Sequence, residues 1–218
     1  MSHDELAKAD WEDLDRIKRM AISYSSRYDK PFWAAVKELT GTRPRKSIVD
    51  FGCGPGLFLI DAVEMYKAEK IIGLDESPGM LDYARDLIKE RSQVKSFEFV
   101  EINFDNTRIP IESETVDLAF SGFMLHEVRN PQDFVNQVVQ TLAPRGLYVV
   151  YDYVSGNEAA FVRAMMQRGM DEDHARRRYP HMCKHSIDDI AAILKKAGLK
   201  DTNAVDINDI RAVVVGKK

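Results

Sequence analysis

Ser47-Ile48-Val49-Asp50-Phe51-Gly52-Cys53-Gly54-Pro55-Gly56-Leu57-Phe58 is the stretch on which the fold turns. It begins as a short apolar run of strand type that passes through an acid. Glycines then alternate at 52, 54 and 56, and beyond them Leu59, Ala62, Val63 and Tyr66 are spaced for one face of a helix. Strand, glycine turn and helix open a βαβ unit. Glycine lets the backbone turn sharply and leaves no Cβ between chain and ligand. A second apolar strand, Ile71-Ile72-Gly73-Leu74, ends in Asp75. That acid lies about 20 residues past the glycines, where a nucleotide-binding unit carries its ribose-binding carboxylate.

The spacing of the glycines bears on the ligand. A dinucleotide fold uses G-x-G-x-x-G with the pyrophosphate on a helix N-terminus. Here the pattern is G-x-G-x-G, it follows Asp50, and the loop holds no Lys or Arg. An acid there repels a pyrophosphate and attracts an ammonium group, so a ligand with a ribose and a cationic amino-acid tail fits better. On the residues alone, a Rossmann-like domain that kept its turn without its ligand stays open.

The whole stretch resembles motif I of the class I S-adenosylmethionine (SAM)-dependent methyltransferases, in particular their small-molecule, type 11-like group. The resemblance covers roughly Arg45–Lys218 and is strongest between Ser47 and Asp152. It implies an α/β, Rossmann-like, mostly parallel sheet of seven strands in the order 3-2-1-4-5-7-6, the last antiparallel, with helices on both faces. It also implies a helical N-terminal cap over residues 1–45 and a methyltransferase domain over 46–218. The implied cofactor is SAM, leaving as S-adenosylhomocysteine (SAH). Its binding residues would be Asp50, Gly52, Cys53, Gly54 and Gly56 on the first turn, and Asp75 and Glu76 after the second strand. Met80 would pack on the adenine; core packing accounts for it equally well.

Composition narrows the classes. The 218 residues are 44% hydrophobic, enough for one α/β domain with additions. A formal charge of −4 argues against a broad nucleic-acid-binding surface. Two cysteines, Cys53 and Cys183, provide no disulfide framework and suit a reducing, cytoplasmic setting. Asp4, Glu5, Asp10 and Glu12 are unlike a signal peptide, and no apolar run approaches the ~20 residues of a membrane span.

Along the rest of the chain, Leu6, Ala9, Ile17, Met20 and Ala21 can form helical faces before Tyr24 and Tyr28. By resemblance those tyrosines face the cofactor or substrate; the alternative is that they pack the cap onto the core. Ser77 and Pro78 open a helix, as do Asn130 and Pro131. Phe97–Glu101 alternates as a strand. Phe104-Asp105-Asn106 follows, and the resemblance sets Asp105 against the adenine amino group with Asn106 at the ring edge. The alternative is a surface Asx turn. Ser113–Ser121 resembles the family's fourth strand, and Ser121 and Gly122 at its end are cofactor positions by the same resemblance. His126 follows, where many small-molecule members carry a histidine: a neutral imidazole there accepts a proton from the acceptor, or else packs or caps. Asp152, ending the fifth strand, orients a substrate or a base, or caps a helix. Arg145 stands where the family has the first glycine of L-x-P-G-G.

Residues 155–185 read as a helical insertion near the substrate site, with Phe161, Met165, Met166, Met170 and Met182 either lining a pocket or docking a helix. His181, Cys183 and His185 alternate on the chain, but no fourth ligand is evident, so no metal is assigned. Ser186 and Asp189 start a last helix as a capping box. Two strands close the chain as a hairpin through Asn208-Asp209.

The expected function is methyl transfer from SAM to a small-molecule acceptor, by a monomer or homodimer, with neither nucleic acid nor membrane as partner. The alternatives are an RNA or protein methyltransferase, or a non-catalytic SAM-binding subunit.

Overall fold

The computed structural model describes residues 13–218. The expectations placed on residues 1–12, including the helical positions Leu6 and Ala9, lie outside the described residues. Helices α1 (Leu14–Ile22), α2 (Tyr24–Arg27) and α3 (Lys30–Thr40) precede the first strand. Then follow β1 (Ser47–Phe51), α4 (Leu57–Tyr66), β2 (Lys70–Asp75), α5 (Pro78–Arg91), β3 (Ser96–Glu101) and β4 (Val116–Gly122). After them come α6 (Pro131–Thr141), β5 (Leu142–Tyr153), α7 (Glu158–Gln167), α8 (Glu172–Met182), α9 (Ile187–Lys196), β6 (Lys200–Asn208) and β7 (Arg211–Lys217).

The seven strands form one sheet in the order β3-β2-β1-β4-β5-β7-β6. β1 runs parallel to β2 and β4, and β5 is antiparallel to β7. Period-2 alternation explains why the central strands are apolar throughout. On β1, Ile48 packs with Phe58, Leu59 and Phe120 on one face of the sheet. Its neighbour Val49 packs with Phe134, Val135 and Val138 on the other. Both are fully buried. Helices α3, α4 and α5 thus cover one face, and α6 and α9 the other.

Local signals set the helix ends. Ser77 Oγ accepts from the Met80 amide, Asn130 Oδ1 from Asp133, and Ser186 with Asp189 closes a reciprocal capping box. Gly56 has φ +77°, and a Cβ on it would lie 2.8 Å from the Ala84 Cβ of α5. Only glycine gives both the left-handed turn and the close helix approach at that point. Arg145 sits at φ +68° on the surface. Residues 155–185 hold helices α7 and α8, which pack around Phe161, Met165, Ala175 and Cys183, with Tyr153 of β5 in the same cluster. Among the described residues no helix is long and apolar enough to cross a membrane.

Candidate functional site

In an open parallel sheet the loops leaving the carboxyl ends of the strands converge where the strand order reverses. Here that point lies between β1 and β4. β1 delivers Asp50 and the glycine turn, β2 delivers Asp75, β4 delivers Gly122 and His126, and β5 delivers Asp152.

The β1–β2 side is short of hydrogen-bond donors. Asp50 is 2% exposed, and its Oδ1 has no partner. Burial, with the Asp75 charge nearby, pushes its pKa well above the usual carboxylate range. Asp75 is better served: Oδ2 accepts from the Gly54 amide at 2.8 Å and Oδ1 from Ser77 at 3.0 Å. Burial still raises its pKa, and the backbone bonds oppose the shift. Glu76 adds a third backbone bond, and the carboxylate still keeps acceptor capacity for a ligand. Cys53 is buried beside both acids, and burial first, then their charge, pushes its thiol far up, so it is no nucleophile.

The other expected cofactor residues distribute unevenly. Met80 is buried under the start of α5. Phe104 turns inward, edge-on to Phe134 at 5.6 Å. Asp105 accepts from the Arg129 amide at 2.8 Å, so its carboxylate already anchors the loop before α6. The Asn106 amide donates to Asn103 Oδ1 in an Asx turn. The Ser121 hydroxyl is fully buried and bonded to Tyr148 at 2.8 Å, which places it in the core and leaves only its backbone at the edge. Glu76 is exposed at the rim.

The N-terminal helices lie across this edge. The Tyr24 hydroxyl donates to Asp61 Oδ2 at 2.6 Å, and its ring stacks on Tyr28 at 4.5 Å. Tyr28 packs among Phe32, Phe120, Phe123 and Tyr151, and a Cβ on Gly122 would fall 2.2 Å from its hydroxyl. Met20 Sδ would be 3.5 Å from a Cβ on Gly54. A latch holds the segment down: Tyr151 donates to the Arg27 carbonyl at 2.6 Å, and Arg211 donates to the same carbonyl and to Asp29. Arg211 went unnamed in the sequence reading, and Met20 figured there only as part of a helical face.

The β4–β5 side is saturated. His126 is 4% exposed; Nδ1 lies 2.6 Å from Asp152 Oδ1 and Nε2 3.1 Å from Glu127 Oε1. Asp152 also accepts from the His126 and Tyr153 amides. Glu127 Oε2 faces His181 Nε2 at 3.2 Å, tying α8 to the turn after β4. Burial alone would lower the His126 pKa, but Asp152 and then Glu127 outweigh it and raise it to about 10. Glu127 was not foreseen, although it adjoins His126. The alternating trio separates: Cys183 is buried, His181 pairs with Glu127, and His185 Nε2 is buried without a partner. Among the described residues no three His, Cys, Asp or Glu side chains gather as a metal group.

Comparison with known proteins agrees with this architecture. Residues 49–150 match the family model described as a methyltransferase domain. A demethylmenaquinone methyltransferase of Lactococcus lactis is 29% identical over 151 residues, 62% of this chain and 57% of that protein. The chain spans between 29% and 57% of the length of the first curated relatives it matches. Among solved structures, a SAM-dependent methyltransferase from Aquifex aeolicus superposes with a TM-score of 0.71 at 20% identity, covering 94% of this chain and 98% of that one. The cyclase SpnF superposes at 0.66 and 16% identity, covering 84% and 79%. At these identities the structures share a fold.

Proposed function

We propose that this chain is a class I methyltransferase that binds SAM at the β1–β4 switch point and transfers its methyl group to a small molecule. The observation that carries the reading is the buried, partnerless Oδ1 of Asp50 beside the glycine turn. An unpaired buried carboxylate is costly and calls for a donor. The ammonium group of SAM is such a donor, and the acceptor sites left on Asp75 suit the two ribose hydroxyls. A pyrophosphate at the same point would meet two acids and no cation.

SAM supplies a methyl group already activated by a sulfonium charge. What the chain contributes is position. Asp50 and Asp75 hold the polar ends of the ligand, the glycine turn brings backbone close to it, and Tyr28 and Met20 shield it from water. Holding donor and acceptor in line removes much of the barrier. The relatives named for quinone methylation and the formal charge of −4 favour a small-molecule acceptor over RNA or protein. A ligand-binding subunit without turnover would share the Asp50 and Asp75 features. Mass-spectrometric detection of a methylated metabolite after incubation with SAM and a cell extract separates the two. Calorimetric titration with SAH and with NAD tests the cofactor: SAH is expected to bind and NAD not. Tighter binding of NAD would overturn the reading.

A further inference from the structure

The acceptor side of the cleft carries an unusual distribution of charge, and the inference drawn from it rests on the proposed methyl transfer. The His126 ring has no free lone pair. Both nitrogens face carboxylate oxygens, at 2.6 and 3.1 Å, and a carboxylate only accepts, so both nitrogens carry hydrogen. The surroundings hold that state in place. Asp152 and Tyr153 approach from β5, Glu127 from the same turn, and His181 from α8 with its ring centroid 5.8 Å away. Cys183 feels the charge of Asp152, and His185 feels those of Asp152 and His126. Lys184 points its ammonium to the Val128 carbonyl.

Two cations nearby, in contrast, have only neutral partners: Arg27 donates to the Met20 carbonyl at 3.0 Å and Arg168 to a tyrosine hydroxyl. Arg27 lies over the Phe123 ring at 5.9 Å with its Nε buried and partnerless. The Phe123 ring is 4.9 Å from Tyr153, whose hydroxyl accepts from Arg168 at 2.8 Å. Among the described residues no carboxylate pairs with Arg27 or Arg168, while Asp152 and Glu127 are engaged by histidines.

We propose that the acceptor is an organic carboxylate, drawn to the Phe123–Tyr153 floor by Arg27 and Arg168 and methylated on oxygen without passing a proton to His126, which is a fixed imidazolium and a positioning residue. The step balances without a base. A lone pair of the carboxylate oxygen forms the new O–C bond, the methyl–sulfur bond breaks, and its electron pair returns to sulfur. The sulfonium becomes a neutral thioether, the carboxylate becomes an ester, and no proton moves.

Two measurements on the whole protein test this. In the SAH complex, benzoate is expected to bind at least about tenfold more tightly than benzamide, a neutral analogue of the same shape. Arg168→Gln should shrink that preference and leave SAH affinity unchanged. Equal binding of the two probes, or a preference untouched by the substitution, overturns the anionic acceptor. In the free protein, nitrogen NMR of His126 is expected to show both ring nitrogens protonated from about pH 6 to about pH 9. A neutral imidazole at about pH 7.5 overturns the fixed imidazolium. Failure of SAH itself to bind would strike the proposed function, and the His126 titration would still be read without it.

Discussion

The two ends of the sheet's carboxyl edge treat their buried acids in opposite ways. At β1 and β2, Asp50 Oδ1 lacks a partner and Asp75 is held by backbone amides alone. At β4 and β5, Asp152 accepts from one ring nitrogen and two amides, and Glu127 bridges two histidines. An acid left unsatisfied by its own fold is a place for a ligand's donors. A saturated acid is structure. The first arrangement costs stability and creates affinity; the second adds rigidity and offers a ligand little.

The comparison breaks most visibly if Asp152 proves dispensable. Asp152→Ala strands a buried imidazole and two amides, and loss of one partner of a buried ion pair costs about 3–5 kcal/mol. We expect a large fall in thermal and denaturant midpoints, with Asp152→Asn intermediate. A midpoint like that of the unaltered protein would show that the saturated end is not structural. Next in size is Asp75→Ala, which removes acceptors for two hydroxyls, each charge-assisted bond contributing about 1.5–3 kcal/mol before desolvation is offset. SAH affinity should drop roughly 30- to 1000-fold, about 2–4 kcal/mol, while the free protein stays folded. Calorimetry beside thermal unfolding reads both, and unchanged affinity would remove the ribose assignment.

Asp50→Asn sharpens the contrast. It removes a buried unpaired acid, so the free protein should be at least as stable, yet SAH should bind about tenfold more weakly, about 1.4 kcal/mol. Loss of stability without loss of affinity would place Asp50 with Asp152 instead. The smallest effect is on pH dependence. His126 is raised from 6.5 to about 10, so its contribution is complete below about 6.5 and is lost as pH climbs through about 10. Glu127 is lowered to about 2 despite burial, chiefly by His126, so its contribution holds above the usual 4.5 and is lost as pH falls towards 2. Melting temperature should therefore decline on both flanks, and the alkaline decline should be missing in His126→Gln. An unchanged alkaline limb in that variant would assign the decline elsewhere.

Which parts were legible follows from range. The caps at Ser77, Asn130 and Ser186 are contacts between residues three apart, and each was readable as a short pattern. The placement of Asp50 and Asp75 beside the glycine turn was readable because a βαβ unit keeps its first turn and second strand close in sequence. His126 was open to two readings, proton acceptor or packing residue, and nothing local revealed that two carboxylates would claim its ring. The pattern His181, Cys183, His185 suggested one cluster, and helix α8 with the turn after it sent the three side chains to different neighbours. Ser121 was drawn into the core by Tyr148, on the next strand.

By itself, the sequence determined the alternation of strands and helices, the glycine turn and its acids, and the hairpin that closes the chain, because period, capping and turn chemistry act over a few residues. The tertiary structure alone decided who satisfies whom. Glu127 meets His181 across 54 residues, and Arg211 holds the Arg27 carbonyl across 184. Whether a buried acid ends up spent or available depends on such distant partners, since a carboxylate's partners are set by packing and leave no trace in the residues that flank it.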